Sequence, residues 1–380
     1  MENRMKRHSE IKRRQFLKGS TLAAGAAVAS AAASSFPKPA LSQGKMEWRM
    51  VTSWPKGLPG VGTGAERLAE RIGKLSDGRL TVKVYAAGEL VPALECFAAV
   101  SNGTAEMAHD ASYYHLGKHR STAFFTSVPF GLTAPEMTAW VNYGGGQEVW
   151  DELYAQFGIK PFQAGNTGCQ ALGWYRKEIK SPADYKGLKK RMPGLGGEVL
   201  KKMGGTVVTL PGGEIFQALQ SGTVDAAEWI GPYNDLTFGF YQVAKYYYSP
   251  GFHEPGSVLE SMVNKAKYDA LPNDLKEIIK VASQASHDDM LAEYNMRNGP
   301  ALETLTAKHG VNAIRPPNDV LIAFGNASGE VMAEERDKAD AIGKKIFESY
   351  LAARKLLIPQ TRFLDQAYVN ARALAYKYID

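Results

Sequence analysis

The chain has 380 residues, with 45 Lys or Arg against 39 Asp or Glu, 38 glycines and two cysteines. Eight of the basic and two of the acidic side chains fall within residues 1–42, leaving 37 of each in the rest. That balance gives no electrostatic case for nucleic acid or for an anionic membrane surface. The remaining length exceeds what one core usually organises, so two lobes are expected.

The amino end reads Lys12-Arg13-Arg14-Gln15-Phe16-Leu17-Lys18, then an apolar run rich in Ala and Gly from Gly19 to Ala33, then Ala40-Leu41-Ser42. Charged, apolar and cleavable regions in that order make residues 1–42 a removable export signal. The paired arginines followed by Phe-Leu-Lys point to the twin-arginine route, which places the mature protein in the periplasm. The apolar run is too short and too poor in Leu, Ile and Phe to span a bilayer, and no later stretch is long and uncharged enough. In an oxidising compartment Cys96 and Cys169 can be bridged or free, and their separation decides neither.

Met46–Trp54 reads as a buried strand, Thr63–Ser76 as a helix with Thr63 as its cap and Leu68, Ile72 and Leu75 on one face, and Leu80–Tyr85 as a second strand. This βαβ opening implies mostly parallel sheets flanked by helices. Glu95-Cys-Phe-Ala-Ala-Val-Ser-Asn-Gly-Thr-Ala-Glu-Met-Ala108 is echoed by Glu214-Ile-Phe-Gln-Ala-Leu-Gln-Ser-Gly-Thr-Val-Asp-Ala-Ala227. Both copies read as helix, Gly-Thr turn and strand, with glycine where a helix must end left-handed. Two lobes of similar build follow, with strand ends facing a shared cleft, where open α/β sheets place ligands. Gln163–Tyr175 reads as a strand-like run, and Ser181-Pro182 to Gly187 as a helical turn before a short strand that delivers Arg191 to its end. From about Ile322 the chain turns helical, and Pro359 is expected to kink or break the last helix. That helix either lies on its own lobe or embraces a second subunit.

Gly60-Val-Gly62-Thr-Gly64 is not spaced as a dinucleotide fingerprint, and no acidic residue ends the second strand. His115 and His119 are four apart, but no Glu follows the first, and exposed histidines fit better than metal ligands. There is no CxxC, no GxSxG and no P-loop. What remains are polar groups near strand ends: Tyr113-Tyr114, Asn166, Gln170, Arg191 and Glu228-Trp229. Arginine is the natural partner of a carboxylate because its planar fork offers two charge-assisted hydrogen bonds.

At Asp184-Tyr-Lys-Gly-Leu-Lys-Lys-Arg191 and Pro211-Gly-Gly-Glu-Ile-Phe-Gln-Ala-Leu-Gln-Ser-Gly-Thr-Val-Asp225 the sequence resembles the DctP-like periplasmic solute receptors of TRAP transporters. Gln170, Arg191 and Ala227-Glu228-Trp229-Ile-Gly-Pro-Tyr-Asn234 look most like the branch that binds α-keto acids such as pyruvate, with relatives that bind lactate. The resemblance implies a two-lobed periplasmic binding protein fold with hinge strands and a long C-terminal helix, and no enzyme activity. Expected lobes are 43–167 with 228–266, and 168–227 with 267–330; the helical segment 331–380 is a possible homodimer contact. The resemblance also implies a ligand carboxylate on Arg191 and a Na⁺ or Ca²⁺ ion held by Gln170, Glu228 and the Trp229 carbonyl, with Tyr114 and Asn166 as donors to ligand oxygens. No organic cofactor is expected; the partners are the small carboxylate and the TRAP membrane subunits. An ABC-type receptor shares the two-lobed form, and a periplasmic oxidoreductase the export route.

Overall fold

A computed structural model describes residues 44–378; the signal read in residues 1–42 lies outside the described residues. Among the described residues, eleven strands form two sheets. β1 (Met46–Thr52), β2 (Leu80–Tyr85), β3 (Met107–Asp110) and β4 (Ile159–Asn166) belong to the first. β5 (Gly173–Tyr175), β6 (Lys189–Arg191), β7 (Thr206–Val208), β8 (Ala226–Ala227) and β9 (Tyr246–Tyr248) build the second. β10 (Val258–Asn264) then returns to the first sheet and β11 (Asn312–Ile314) to the second. The orders are β2-β1-β3-β10-β4 and β11-β9-β5-β8-β6-β7.

Five of the nine strand pairings are parallel, and all four antiparallel ones involve β10 or β5. Each of these two strands enters its sheet directly from the other sheet, through 167–172 or 249–257. The run Gln163–Tyr175 is therefore two strands in two sheets rather than one. Residues 228–266 do not all join the first lobe as expected: β9 lies in the second sheet between β5 and β11, and Tyr247 stacks on Trp174 at 4.3 Å. Nor does 267–330 lie wholly with the second sheet. The helix Asn273–Glu303 packs on β4 and on the helix Val61–Leu75 as well as on the helix Pro232–Phe238, bracing both sheets.

The echoed segments occupy corresponding places. Each runs from a helix (Cys96–Ser101, Gly212–Ser221) through a left-handed glycine, Gly103 at φ 80° and Gly222 at φ 76°, into a strand, β3 of one sheet and β8 of the other. A Cβ on Gly103 would meet no atom within 4 Å, so only backbone strain opposes a side chain. Gly103→Ala is expected to cost about 1–2 kcal/mol in urea denaturation, and a change below about 0.3 kcal/mol would remove the conformational reason for this glycine.

The helix Val61–Leu75 starts two residues ahead of the expected cap at Thr63, with Gly60 at the N-cap position. His115 is buried rather than exposed, and it and His119 belong to separate 3₁₀ turns, Ser112–His115 and Arg120–Phe125, the second capped by His119. The terminal helix Ala341–Thr361 does not break at Pro359 as expected but runs through it into a π turn at Arg362–Gln366. Its first half seals the first lobe: Tyr350 meets Trp140 edge-on, and Phe125 is stacked between Trp140 and Trp150. Beyond it Leu356, Phe363, Leu364 and Tyr368 are exposed. Both cysteines are free, Cys96 buried and Cys169 exposed.

Candidate functional site

Ser181 and Asp184 close a 3₁₀ turn, with the Asp184 carboxylate accepting from the Ser181 N–H at 2.8 Å. The chain then enters β6, held between β7 and β8, whose last residue is Arg191. β8 ends alongside, so Glu228 and Trp229 leave the sheet beside Arg191. On the other flank, a Cβ at Gly173 would lie 2.3 Å from the Ala227 carbonyl oxygen, so glycine there lets β5 close against this strand end.

Arg191 and Glu228 are both fully buried and pair through Nη1 and Oε1. The guanidinium also donates to the carbonyls of Leu210 and Glu228, each at 3.0 Å, and to the Tyr114 hydroxyl at 3.2 Å. It lies over the Trp229 ring, 5.3 Å from the centroid. Burial works against the guanidinium charge, yet Glu228 with Tyr114 and Tyr113 raises its pKa above the usual arginine value. Burial pushes the Glu228 carboxyl up, and Arg191 with His253 outweighs it and leaves the carboxyl below the ordinary range. Lys190, on the opposite face of β6, is buried, donates to the Leu172 carbonyl at 2.7 Å and the Tyr175 hydroxyl at 2.6 Å, and is pushed down to about 7 by burial.

Around this pair lie buried acceptors without partners among the described residues: Gln170 Oε1, Glu228 Oε2 and Glu254 Oε1. Gln170 lies within the first crossing between sheets, and its N–H donates to the Glu254 carbonyl at 3.0 Å. His253 Nε2 stands 3.5 Å from Glu228 and 3.7 Å from Glu254. Glu228, His253 and Glu254 offer ligand atoms within 4.8 Å of one another. Burial, then repulsion from Glu228, drives the Glu254 carboxyl well above its usual range, and burial lowers His253. Asn166, at the end of β4, accepts from the Gly168 N–H at 2.7 Å and leaves its amide nitrogen unpartnered.

The first lobe closes over this patch. Tyr114 reaches Arg191, Trp54 meets Trp229 edge-on at 6.2 Å, and Asn234 Nδ2 donates to the Pro59 carbonyl at 2.8 Å. Of the residues expected from sequence, Tyr114, Arg191, Glu228 and Trp229 are in mutual contact or adjacent, and Gln170 is tied to the patch through Glu254. His253, Glu254 and Trp54 were not singled out. The available signal for the first two was an ionisable pair inside a Pro/Gly-rich segment, Pro250 to Ser257, between apolar strands.

Two half-parallel lobes closed on a buried arginine and a set of unpartnered oxygens define a receptor for a small anion. The comparisons agree: residues 50–338 match the family model for bacterial extracellular solute-binding proteins, family 7 (DctP). The chain is 43% identical, over 86% of its length and 88% of the relative's, to the monocarboxylate 2-oxoacid-binding periplasmic protein of Nostoc sp.. A TRAP periplasmic solute binding protein of Pseudoalteromonas atlantica, crystallised with sodium and pyruvate, superposes with a TM-score of 0.83 at 41% identity, covering 87% of this chain and all of that one. One from Bordetella bronchiseptica, a mixed-occupancy dimer with copurified calcium and picolinate, gives a TM-score of 0.84 at 40% identity, covering 86% and 97%. The chain belongs to the DctP family, the periplasmic solute receptors of TRAP transporters, and is a binding protein rather than an enzyme. No helix among the described residues is long and apolar enough to cross a membrane.

Proposed function

We propose that the protein captures a small 2-oxo monocarboxylate, pyruvate foremost, together with a Na⁺ or Ca²⁺ ion between its lobes, and offers the closed form to TRAP membrane subunits. The observation that carries this reading is the buried Arg191–Glu228 pair ringed by unpartnered oxygens of Gln170, Glu228 and Glu254. Arg191 supplies the charge and fork for a carboxylate. The Glu228 carboxylate beside it would repel that anion unless a cation lay between them. Carboxylate, amide and carbonyl oxygens are the hard donors that Na⁺ or Ca²⁺ accepts, so Gln170, Glu228 and the Trp229 carbonyl fit as ligands, with Glu254 added by its orphaned oxygen. In this reading Tyr114 and Asn166 donate to ligand oxygens, supported by the Tyr114 hydroxyl at Arg191 and the unpartnered Asn166 amide nitrogen. The similar proteins with pyruvate and sodium, or with calcium and picolinate, support the same pairing of acid and cation.

Residues from both lobes complete the site, so ligand and ion favour the closed population. Export by the twin-arginine route belongs to the same reading and is supported by Arg13-Arg14 and the run that follows. So does a homodimer built through the 331–380 segment, supported by the exposed Leu356, Phe363 and Tyr368 and by the Bordetella dimer.

Thermal unfolding against 2-oxo acids, lactate, dicarboxylates, sugars and amino acids, each with Na⁺, Ca²⁺ or chelator, tests the reading. Pyruvate at a hundred times its Kd is expected to stabilise by about 2.7 kcal/mol. Glu228→Gln and Glu254→Gln are each expected to weaken the cation requirement's midpoint at least tenfold. A shift from sugars or amino acids alone, or a pyruvate shift indifferent to every cation, would refute it.

A further inference from the structure

We propose that Trp54 is the specificity-determining wall of the ligand site and that His109 is its positioning residue, an inference that rests on the 2-oxo acid reading above. Trp54 follows β1, is almost fully buried, and its ring lies 6.5 Å from that of Tyr114 and 6.2 Å from that of Trp229. Those two rings flank Arg191: the Tyr114 hydroxyl accepts from its Nη2, and Trp229 lies beneath its guanidinium carbon. Trp54 therefore bridges, from the first lobe, the gap between the two side chains that bracket the carboxylate's partner. With one end of the acid on Arg191 and its oxygens turned to the Gln170–Glu228–Glu254 side, the carbon chain beyond the oxo group is left facing aromatic surface. A flat, short acid suits such a wall, and each methylene it must accommodate or exclude changes affinity by about tenfold or more.

The indole is held in a fixed pose. Its Nε1–H donates to His109 Nδ1 at 2.8 Å, and His109 Nε2 lies 3.2 Å from the Ala164 carbonyl. These two partners select the tautomer with its proton on Nε2 and a lone pair on Nδ1. A protonated imidazole could not accept the indole hydrogen; burial, which pushes His109 down to about 4, keeps it neutral. The indole–imidazole hydrogen bond lies wholly within the first lobe, so Trp54 is set before the second lobe meets it.

The test measures Kd for pyruvate and for the branched six-carbon acid 4-methyl-2-oxopentanoate, by calorimetry with Na⁺ or Ca²⁺ present, and takes their ratio. In Trp54→Ala the preference for pyruvate is expected to fall at least tenfold, with Trp54→Phe between it and wild type. His109→Leu is expected to shift the ratio in the same direction, and His109→Gln, whose amide oxygen can still accept the indole hydrogen, to stay near wild type. A ratio within threefold of wild type in both Trp54→Ala and Trp54→Phe, each still unfolding cooperatively, would overturn the assignment while leaving the 2-oxo acid reading intact. Wild-type protein that binds neither acid would overturn both.

Discussion

Arg191→Ala is expected to abolish pyruvate binding and to lower the stability of the ligand-free protein by about 3–5 kcal/mol, the usual cost of removing one member of a buried ion pair. Both losses have one origin. Arg191 offers its donors to Leu210, Glu228 and Tyr114 in a site that water does not reach. Alanine leaves the Glu228 carboxylate, which is fully buried, with only His253 and Lys190 nearby as sources of positive potential. The carboxyl, now below its ordinary range because Arg191 outweighs burial, would then titrate higher. In wild type the pair's stabilisation is present above the unfolded glutamate pKa and is lost as pH falls through the lower folded value; Arg191→Ala removes that acid-side loss. Adding Glu228→Gln to Arg191→Ala should recover much of the stability and none of the binding, because the orphaned charge is gone while the carboxylate's partner is still missing. Urea unfolding and calorimetry of the single and double variants check this. A single variant within about 1 kcal/mol of wild type that still binds pyruvate within threefold would take Arg191 out of the site.

Much of the architecture was legible because the lobes repeat themselves. The Glu95–Ala108 and Glu214–Ala227 segments fold alike since each needs a helix stop and a strand start within a few residues, and Gly103 and Gly222 provide the left-handed turn. Arg191 was legible because Ser181-Pro182 and Gly187 bracket a turn and leave only a short strand before it. The direction of β5 was not, because strand direction follows from which sheet the chain is leaving, and Thr167–Leu172 carries no mark of a crossing. Trp54 reads as one more apolar residue at the end of a buried strand; only packing places its ring between Tyr114 and Trp229. Glu254 escaped for a related reason: its partners, Gln170 and Glu228, are 84 and 26 positions away, and no spacing rule joins them.

Glu260→Gln is expected to stabilise the protein by about 3 kcal/mol at pH 7 and to leave it nearly unchanged near pH 4.5. Glu260 lies on β10, opposite Asp110 of β3, and neither side chain is exposed. Its Oε1 accepts from the Tyr154 hydroxyl at 3.2 Å, and His115 Nε2 stands 3.3 Å from the same oxygen and 3.4 Å from Asp110 Oδ2. One imidazole N–H cannot satisfy both carboxylates, and Glu260 Oε2 has no partner among the described residues. Burial pushes Glu260 up to about 8 and Asp110 up to about 6, and holds His115 down at about 4. A carboxyl whose folded pKa exceeds its unfolded value binds the extra proton in the native state, so its stabilisation is complete below about 4.5 and is lost as pH rises to about 8. Each unit in that window costs about 1.4 kcal/mol, which gives about 3 kcal/mol by pH 7. Glutamine keeps a neutral group of the same shape and an oxygen for Tyr154, and it removes the proton from the account. Denaturant unfolding of both proteins at pH 4.5, 7 and 8.5 should therefore show curves that meet at the acid end and diverge with pH. Parallel curves would mean that Glu260 is already ionised in the folded protein, and that His115 or Asp110 carries the shared proton instead.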